Sequence, residues 1–197
     1  MATRTPPEAN MKCIAVIGSR NPSGQTAQAV DALLKGVETA GGIVERWFLP
    51  TLTIERCRQC EQDGWGLCRT EGKCIIDDDL ASIVDAVLSA DAIVFATPVY
   101  YGDLSESLRA FLDRFRRTIT HSERQEALAS KQCLGICVAG GGGGGALSCA
   151  VSLEKVLQRC GLSLVDLVPV RRQNLEIKQQ LLALTGEWLA VGASQSH

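Results

Sequence analysis

The chain has 197 residues, 46% hydrophobic and 21% charged, with a formal net charge of −2. That is one domain by size, with enough apolar residues for a substantial core. The near-neutral balance argues against nucleic acid as a partner, and no apolar stretch reaches the roughly 18 residues of a membrane helix.

Residues 1–10 are polar and proline-bearing, without the apolar segment of a secretion signal, and read as disordered or linker-like. A single domain is expected over 11–191 and a tail over 192–197. Within it, residues 13–17 read as a strand, and 24–39 as a helix with Ala27, Val30, Leu33, Leu34 and Val37 on one side. Gly41 and Gly42 stop that helix, and a second strand follows over 43–49. After a long cysteine-bearing connection, Asp77, Asp78 and Asp79 open a helix over 79–88, where carboxylates can cap free amides. A third strand spans 92–96, and a helix over 104–117 turns Leu108, Phe111, Leu112 and Phe115 inward. Then come a strand (134–139), a run of six glycines (140–145), a helix (146–158), a strand (162–170) and a helix (177–189). Short apolar strands alternating with amphipathic helices imply a parallel sheet covered on both faces. Five of them point to an α/β three-layer sandwich of flavodoxin-like order 2-1-3-4-5, where ligands bind outside the carboxyl ends of strands one and three.

The loops after those two strands carry the site. Ser19 to Thr26 joins strand to helix, and a helix start offers unpaired amides and partial positive charge to a phosphate. Ser19, Ser23 and Thr26 add hydroxyls, Asn21 and Gln25 add amides, and Gly24 permits close approach. The loop is no dinucleotide fingerprint and lacks a triphosphate-loop lysine, so a monophosphate fits best. After the third strand, Pro98, Val99, Tyr100, Tyr101 and Gly102 form a turn suited to a flat ring. Amides of Val99, Tyr100 and Gly102 are placed to face its polar edge, and Tyr100 or Tyr101 to pack on it. Phosphate at one loop and a flat ring at another describe a flavin mononucleotide (FMN) site. The glycine run beside it, Gly140, Gly141 and Gly142 first, can offer amides to the ring or leave room for nicotinamide.

Cys57, Cys60, Cys68 and Cys74 cluster in the long connection. Four thiolates there can hold an iron–sulfur cluster or zinc. Cys57 and Cys60 also have the spacing of a redox dithiol, and partly buried thiols in a structural or substrate-side loop are a fourth reading. Nine cysteines, an odd number, argue against a secreted disulfide framework and for a reducing cytoplasm. The other five, Cys13, Cys133, Cys137, Cys149 and Cys160, read as packing residues. Arg109, Arg114, Arg116 and Arg117 either meet a nicotinamide cofactor's phosphates or form a solvated or subunit-facing surface. The two histidines, His121 and His197, join no metal or nucleophile constellation.

Val16-Ile17-Gly18-Ser19 with Gly24-Gln25-Thr26, the segment Cys57 to Asp78, and Pro98 to Gly102 with Phe111-Leu112-Asp113-Arg114 together carry a family resemblance. The chain resembles the flavodoxin-like NAD(P)H-dependent FMN reductases, including their iron–sulfur flavoprotein branch. The resemblance implies FMN as cofactor, NAD(P)H as cosubstrate, and a quinone, FMN or another small electron acceptor. It also implies a homodimer or homotetramer with the flavin near the interface. It places the FMN phosphate on Ser19, Asn21, Gly24, Gln25 and Thr26, although the family more often has asparagine where Gln25 stands. Iron–sulfur flavoproteins typically have two residues between the second and third cysteine. Here there are seven, Glu61 to Leu67, which weighs against a cluster. The alternative function is a nonenzymatic electron carrier, with an iron–sulfur cluster on the four cysteines; a further one is a domain that has lost flavin.

Overall fold

The computed structural model describes residues 11–120 and 122–193; the linker-like start, His121 and residues 194–197 lie outside them. The first strand, β1 (Lys12–Ile17), is buried from Cys13 onward, as a continuous apolar run covered on both faces must be. After it come α1 (Gln25–Thr39), β2 (Ile43–Phe48), the one-turn α2 (Leu67–Thr70), α3 (Leu80–Ser89) and β3 (Ala92–Pro98). Then follow α4 (Glu106–Thr118), α5 (Ser122–Ala129), β4 (Gln132–Ala139), α6 (Ala146–Arg159), β5 (Ser163–Arg171) and α7 (Leu175–Ala193). All strand pairs are parallel and the order is β2-β1-β3-β4-β5, the flavodoxin-like arrangement expected.

Alternate residues of each central strand feed two cores. Ile14, Val16, Ile93 and Phe95 meet apolar residues of α3, α4 and α6; Cys13, Ala15, Ile17 and Val94 meet those of α1 and α7. The first core centres on Phe95, Phe111 and Phe115, the last two stacked with centroids 5.3 Å apart. None of the described helices is long and apolar enough to cross a membrane.

Several boundaries differ from those read in the sequence. Leu49 leaves β2 for a 3₁₀ turn with Pro50, while β3 runs on to Pro98, whose missing N–H costs little at a strand end. Helix α5 was not read in the sequence. The last helix is longer at both ends, so Gly192 and Ala193 belong to α7 rather than to a tail.

Helix α7 lies on α1 at glycine–glycine distance. A Cβ added at Gly36 would stand 1.9 Å from the Ala183 carbonyl oxygen, and one at Gly186 would stand 2.0 Å from that of Leu33. Gly186→Val is expected to destabilise by about 1–3 kcal/mol through overpacking. A urea midpoint equal to wild type would refute this close crossing.

Candidate functional site

The loop after β1 is fixed from below. The Gly18 N–H donates to the Ala96 carbonyl (2.8 Å) and Ser107 Oγ donates to the Gly18 carbonyl (3.1 Å). A Cβ at Gly18 would fall 2.3 Å from Ser105 Oγ, so glycine is what lets α4 approach. Asn21 Oδ1 accepts from the N–H and the hydroxyl of Ser23, both at 3.0 Å. This turn binds Asn21 and Ser23 to each other rather than aiming them at a ligand. Gly24 caps α1 in extended conformation with no side-chain cap. The amides of Gln25 and Thr26 therefore lie in a first turn that has no helical carbonyl to meet them.

The loop after β3 is a two-residue hairpin. Tyr100 and Asp103 exchange both backbone hydrogen bonds (3.0 and 2.9 Å), and Tyr101 and Gly102 between them have φ of +53° and +77°. That is a type I′ turn, which asks for positive φ at both central positions. The Val99 N–H donates to Val138 (2.9 Å). Two of the three amides expected to face a ligand, those of Val99 and Tyr100, are thus committed to the backbone. Thr97 Oγ1 accepts the Ser105 N–H (2.9 Å) and holds the loop to α4. Asp103 is clamped by Arg109 at 2.8 Å to both oxygens. Burial pushes its carboxyl up, but the Leu104 amide and the Arg109 charge outweigh that and hold it below the usual carboxylate range.

Tyr101 is fully exposed (109%) at a φ that aromatic residues rarely adopt. Tyr101→Asn should raise the unfolding free energy of the ligand-free protein by about 1 kcal/mol, since asparagine tolerates this conformation. A lower urea midpoint would show that the ring holds the hairpin.

The glycine run is not uniform. Gly145 (φ +81°) touches the hairpin, and a Cβ there would lie 2.7 Å from the Gly102 Cα. Cβ atoms at Gly141, Gly142 and Gly144 would meet nothing within 4 Å. These three leave their backbone open to a ligand.

Between the loops lies a pocket of about 390 Å³ lined by Ser19, Gln25, Thr26, Pro98, Val99, Tyr100, Val138, Ala139, Gly140, Gly141 and Gly144. It lies within the size range of small-molecule sites. Asn21, Ser23, Gly24, Tyr101, Gly102 and Gly142 were also read as candidates but do not line it. Gly144, part of the glycine run read beside the site, does line it, and so do Val138 and Ala139, which were missed; pairing of Pro98 with Val138 puts the end of β4 level with the ring loop. No lining side chain is charged, so an anion here is met by hydroxyls, amides and the start of α1. The donor set at one end and the open glycine backbone at the other fit a nucleotide-like cofactor.

The four clustered cysteines line a second, narrow pocket, with Arg58, Lys73, Arg114 and Arg117 among its other walls. Its free space is about 20 Å³, about enough for one water molecule. Among the described residues no three Cys, His, Asp or Glu side chains are grouped to hold a metal ion. As placed, the four cysteines line one pocket but are not grouped to hold a metal ion or a cluster.

Of the arginines of α4, Arg109 clamps Asp103, while Arg114 and Arg117 serve this segment. Arg114 is 1% exposed and pairs with Asp78, also 1% exposed. It donates to Asp78 Oδ1 (3.0 Å), to the Glu55 carbonyl (3.0 Å) and to Cys74 Sγ (3.2 Å). Arg117 donates to the Gly64 carbonyl (2.7 Å) and lies 4.5 Å over the Trp65 ring, with Arg69 at 4.8 Å. Arg124 of α5 donates to the Gly72 carbonyl (2.6 Å). Of the aspartates read as helix caps, Asp78 accepts the Leu80 amide (3.2 Å) while Asp79 makes no side-chain cap bond; the two accept the Glu55 and Thr53 amides (2.9 and 2.7 Å). Burial pushes the Asp78 carboxyl up. Hydrogen bonds from Arg114 and from the Glu55 and Leu80 amides, with the guanidinium charge, outweigh burial and hold it below the usual range.

The remaining five cysteines are buried, as expected of packing residues. Burial pushes the thiols of Cys13 and Cys160 up to about 12. A hydrogen bond to Cys149, together with burial, holds that of Cys137 well above its ordinary value.

A doubly wound flavodoxin-like sheet with a neutral, donor-rich pocket at the carboxyl ends of β1, β3 and β4 defines a mononucleotide-binding α/β protein. The chain belongs to the NADPH-dependent FMN reductase family, whose model matches residues 11–175. It is a family of FMN-binding reductases. An iron–sulfur flavoprotein of Archaeoglobus fulgidus is 32% identical over 104 residues, 53% of this chain and 45% of that protein. The chain thus matches about half the length of that relative. Among solved structures, RosB with a bound 8-demethyl-8-formylriboflavin-5′-phosphate intermediate superposes with a TM-score of 0.71 at 18% identity, covering 94% of this chain and 81% of that one. The NAD(P)H:quinone oxidoreductase of Methanothermobacter marburgensis gives 0.65 at 16% identity, covering 95% and 98%. At these identities the structures speak to the fold.

Proposed function

We propose that this protein is an FMN-dependent oxidoreductase that takes electrons from NAD(P)H and passes them to FMN, a quinone or another small acceptor. The observation that supports this most is the pocket between the three strand-end loops, uncharged and with donors at one end and bare backbone at the other. Ser19, Gln25 and Thr26 would hold the phosphate. Pro98, Val99 and Tyr100 would flank the ring, with Gly140, Gly141 and Gly144 on its other side. Asn21, Ser23 and Gly24 shape the phosphate loop, while Tyr101, Gly102 and Gly142 stand at the rim. Bound FMN supplies the redox chemistry. The chain's part is to bind the cofactor, orient it and keep water from it, which calls for no acid or base in the lining. A homo-oligomer in the cytoplasm belongs to the same reading.

The test is a visible spectrum and metal analysis of anaerobically purified protein, followed by FMN titration and NAD(P)H oxidation with a quinone. Uptake of FMN at micromolar concentration and rapid quinone-dependent oxidation are expected. Refusal of FMN would overturn the reading. A second reading, an electron carrier serving a protein partner, draws on the four cysteines that line one pocket, although as placed they are not grouped to hold a metal. Broad absorbance with about four irons per chain and slow NAD(P)H turnover would establish it instead.

A further inference from the structure

Tyr101 keeps its ring wholly in solvent (109%), so the ring packs on nothing in the fold. It does so at φ +53°, a sign that among the described non-glycine residues only Gln59 shares. The first central position of a type I′ turn favours asparagine, aspartate or glycine, and an aromatic residue there is strained. The turn does not need the ring. Its closure comes from the Tyr100–Asp103 backbone pair, from the Arg109 clamp on Asp103, and from the Ser148 hydroxyl, which donates to the Gly102 carbonyl (3.0 Å). A strained residue whose side chain adds nothing to the fold points to a role outside it.

The position says what that role is. Tyr100, one residue earlier, lines the pocket, and Gly102, one residue later, lies against Gly145 at the end of the glycine run. Tyr101 therefore stands at the pocket mouth, its Cα about 3.8 Å from that of a lining residue. The same pocket offers the bare backbone of Gly141 and Gly144. Its volume of about 390 Å³ is one that a mononucleotide cofactor takes up, so whatever reacts with the cofactor must enter over the rim. The lining is uncharged, and an acceptor meets flat surface and backbone there rather than a counterion. A free aromatic ring at that rim suits another flat ring, stacked with an offset.

We propose that Tyr101 is a specificity-determining residue: its ring is the platform on which a flat aromatic electron acceptor, of quinone or free-flavin type, stacks at the pocket mouth. The inference rests on the FMN oxidoreductase reading and narrows it to acceptors with a planar conjugated ring. It also takes Tyr101 out of the set that holds the cofactor itself. Asparagine would suit the turn better, but it has no aromatic face to offer, so the strain is kept for the function.

Three forms of the FMN-loaded protein test it: wild type, Tyr101→Asn, which keeps the turn and removes the ring, and Tyr101→Phe, which keeps the ring. Menadione, a planar naphthoquinone, is titrated by calorimetry into each oxidised form without NAD(P)H, so that binding is read apart from turnover. Tyr101→Asn should bind menadione about tenfold more weakly, the scale of one aromatic stacking contact. Tyr101→Phe should bind it as wild type does, and both should hold FMN as wild type does. In turnover, Tyr101→Asn should lower the ratio of kcat/KM for menadione to that for ferricyanide, an octahedral anion that cannot stack, by a similar factor. Wild type that binds no menadione, or binding indifferent to loss of the ring, would overturn the proposal. So would weaker FMN binding by Tyr101→Asn, which would put the ring on the cofactor instead. Refusal of FMN by all three forms would overturn the oxidoreductase reading and this inference with it, whereas FMN uptake with unchanged menadione affinity overturns this inference alone.

Discussion

Arg114→Met is expected to lower the unfolding free energy by about 3–5 kcal/mol, the cost of leaving a buried carboxylate without its cation. Arg114 and Asp78 are both 1% exposed, so solvent cannot take over the interaction. The substitution also strips hydrogen bonds from the Glu55 carbonyl and from Cys74 Sγ, freeing both ends of the cysteine segment from α4. Urea unfolding reads the loss, and limited proteolysis should cut first between Glu55 and Asp78. Arg114→Met combined with Asp78→Asn should regain part of the loss, because it removes the stranded charge. The pH dependence has a definite sign. The folded-state pKa of Asp78 is depressed, so its contribution is fully present above the ordinary carboxylate range and is lost as pH falls through the folded value, below about 4. Arg114→Met should flatten that acid limb. A loss under about 1 kcal/mol would mean that the pair is not what anchors the segment.

The double variant Gln25→Ala, Thr26→Ala should weaken FMN binding by roughly 100-fold. Each side chain can give one hydrogen bond to a dianion, and charge-assisted bonds contribute about 1.5–3 kcal/mol each. The amides of α1's first turn survive the change, so binding is weakened rather than abolished. Stability in urea should stay near wild type, because these side chains line a pocket. Fluorescence quenching of free FMN reads the affinity directly. Unchanged affinity would remove the phosphate-loop assignment while leaving the fold and family untouched.

The sequence by itself determined the layout. Apolar runs of five or six residues alternating with 3.6-period helices fix a covered parallel sheet, and the strand-end loops follow from it. Those signals are legible because each is carried by residues close together in the chain. The tertiary structure alone decided which groups at those loops are available. The Val99 and Tyr100 amides look free in sequence, but β4 and Asp103 take them. The six glycines look alike until Gly145 meets Gly102 and Gly141, Gly142 and Gly144 are left open. Arg114 and Asp78 are 36 residues apart, so an apparently solvated arginine run is in fact the clamp of the cysteine segment. In each case the deciding quantity is a distance between residues far apart in the chain, set by packing two layers onto a sheet, and no local pattern encodes it.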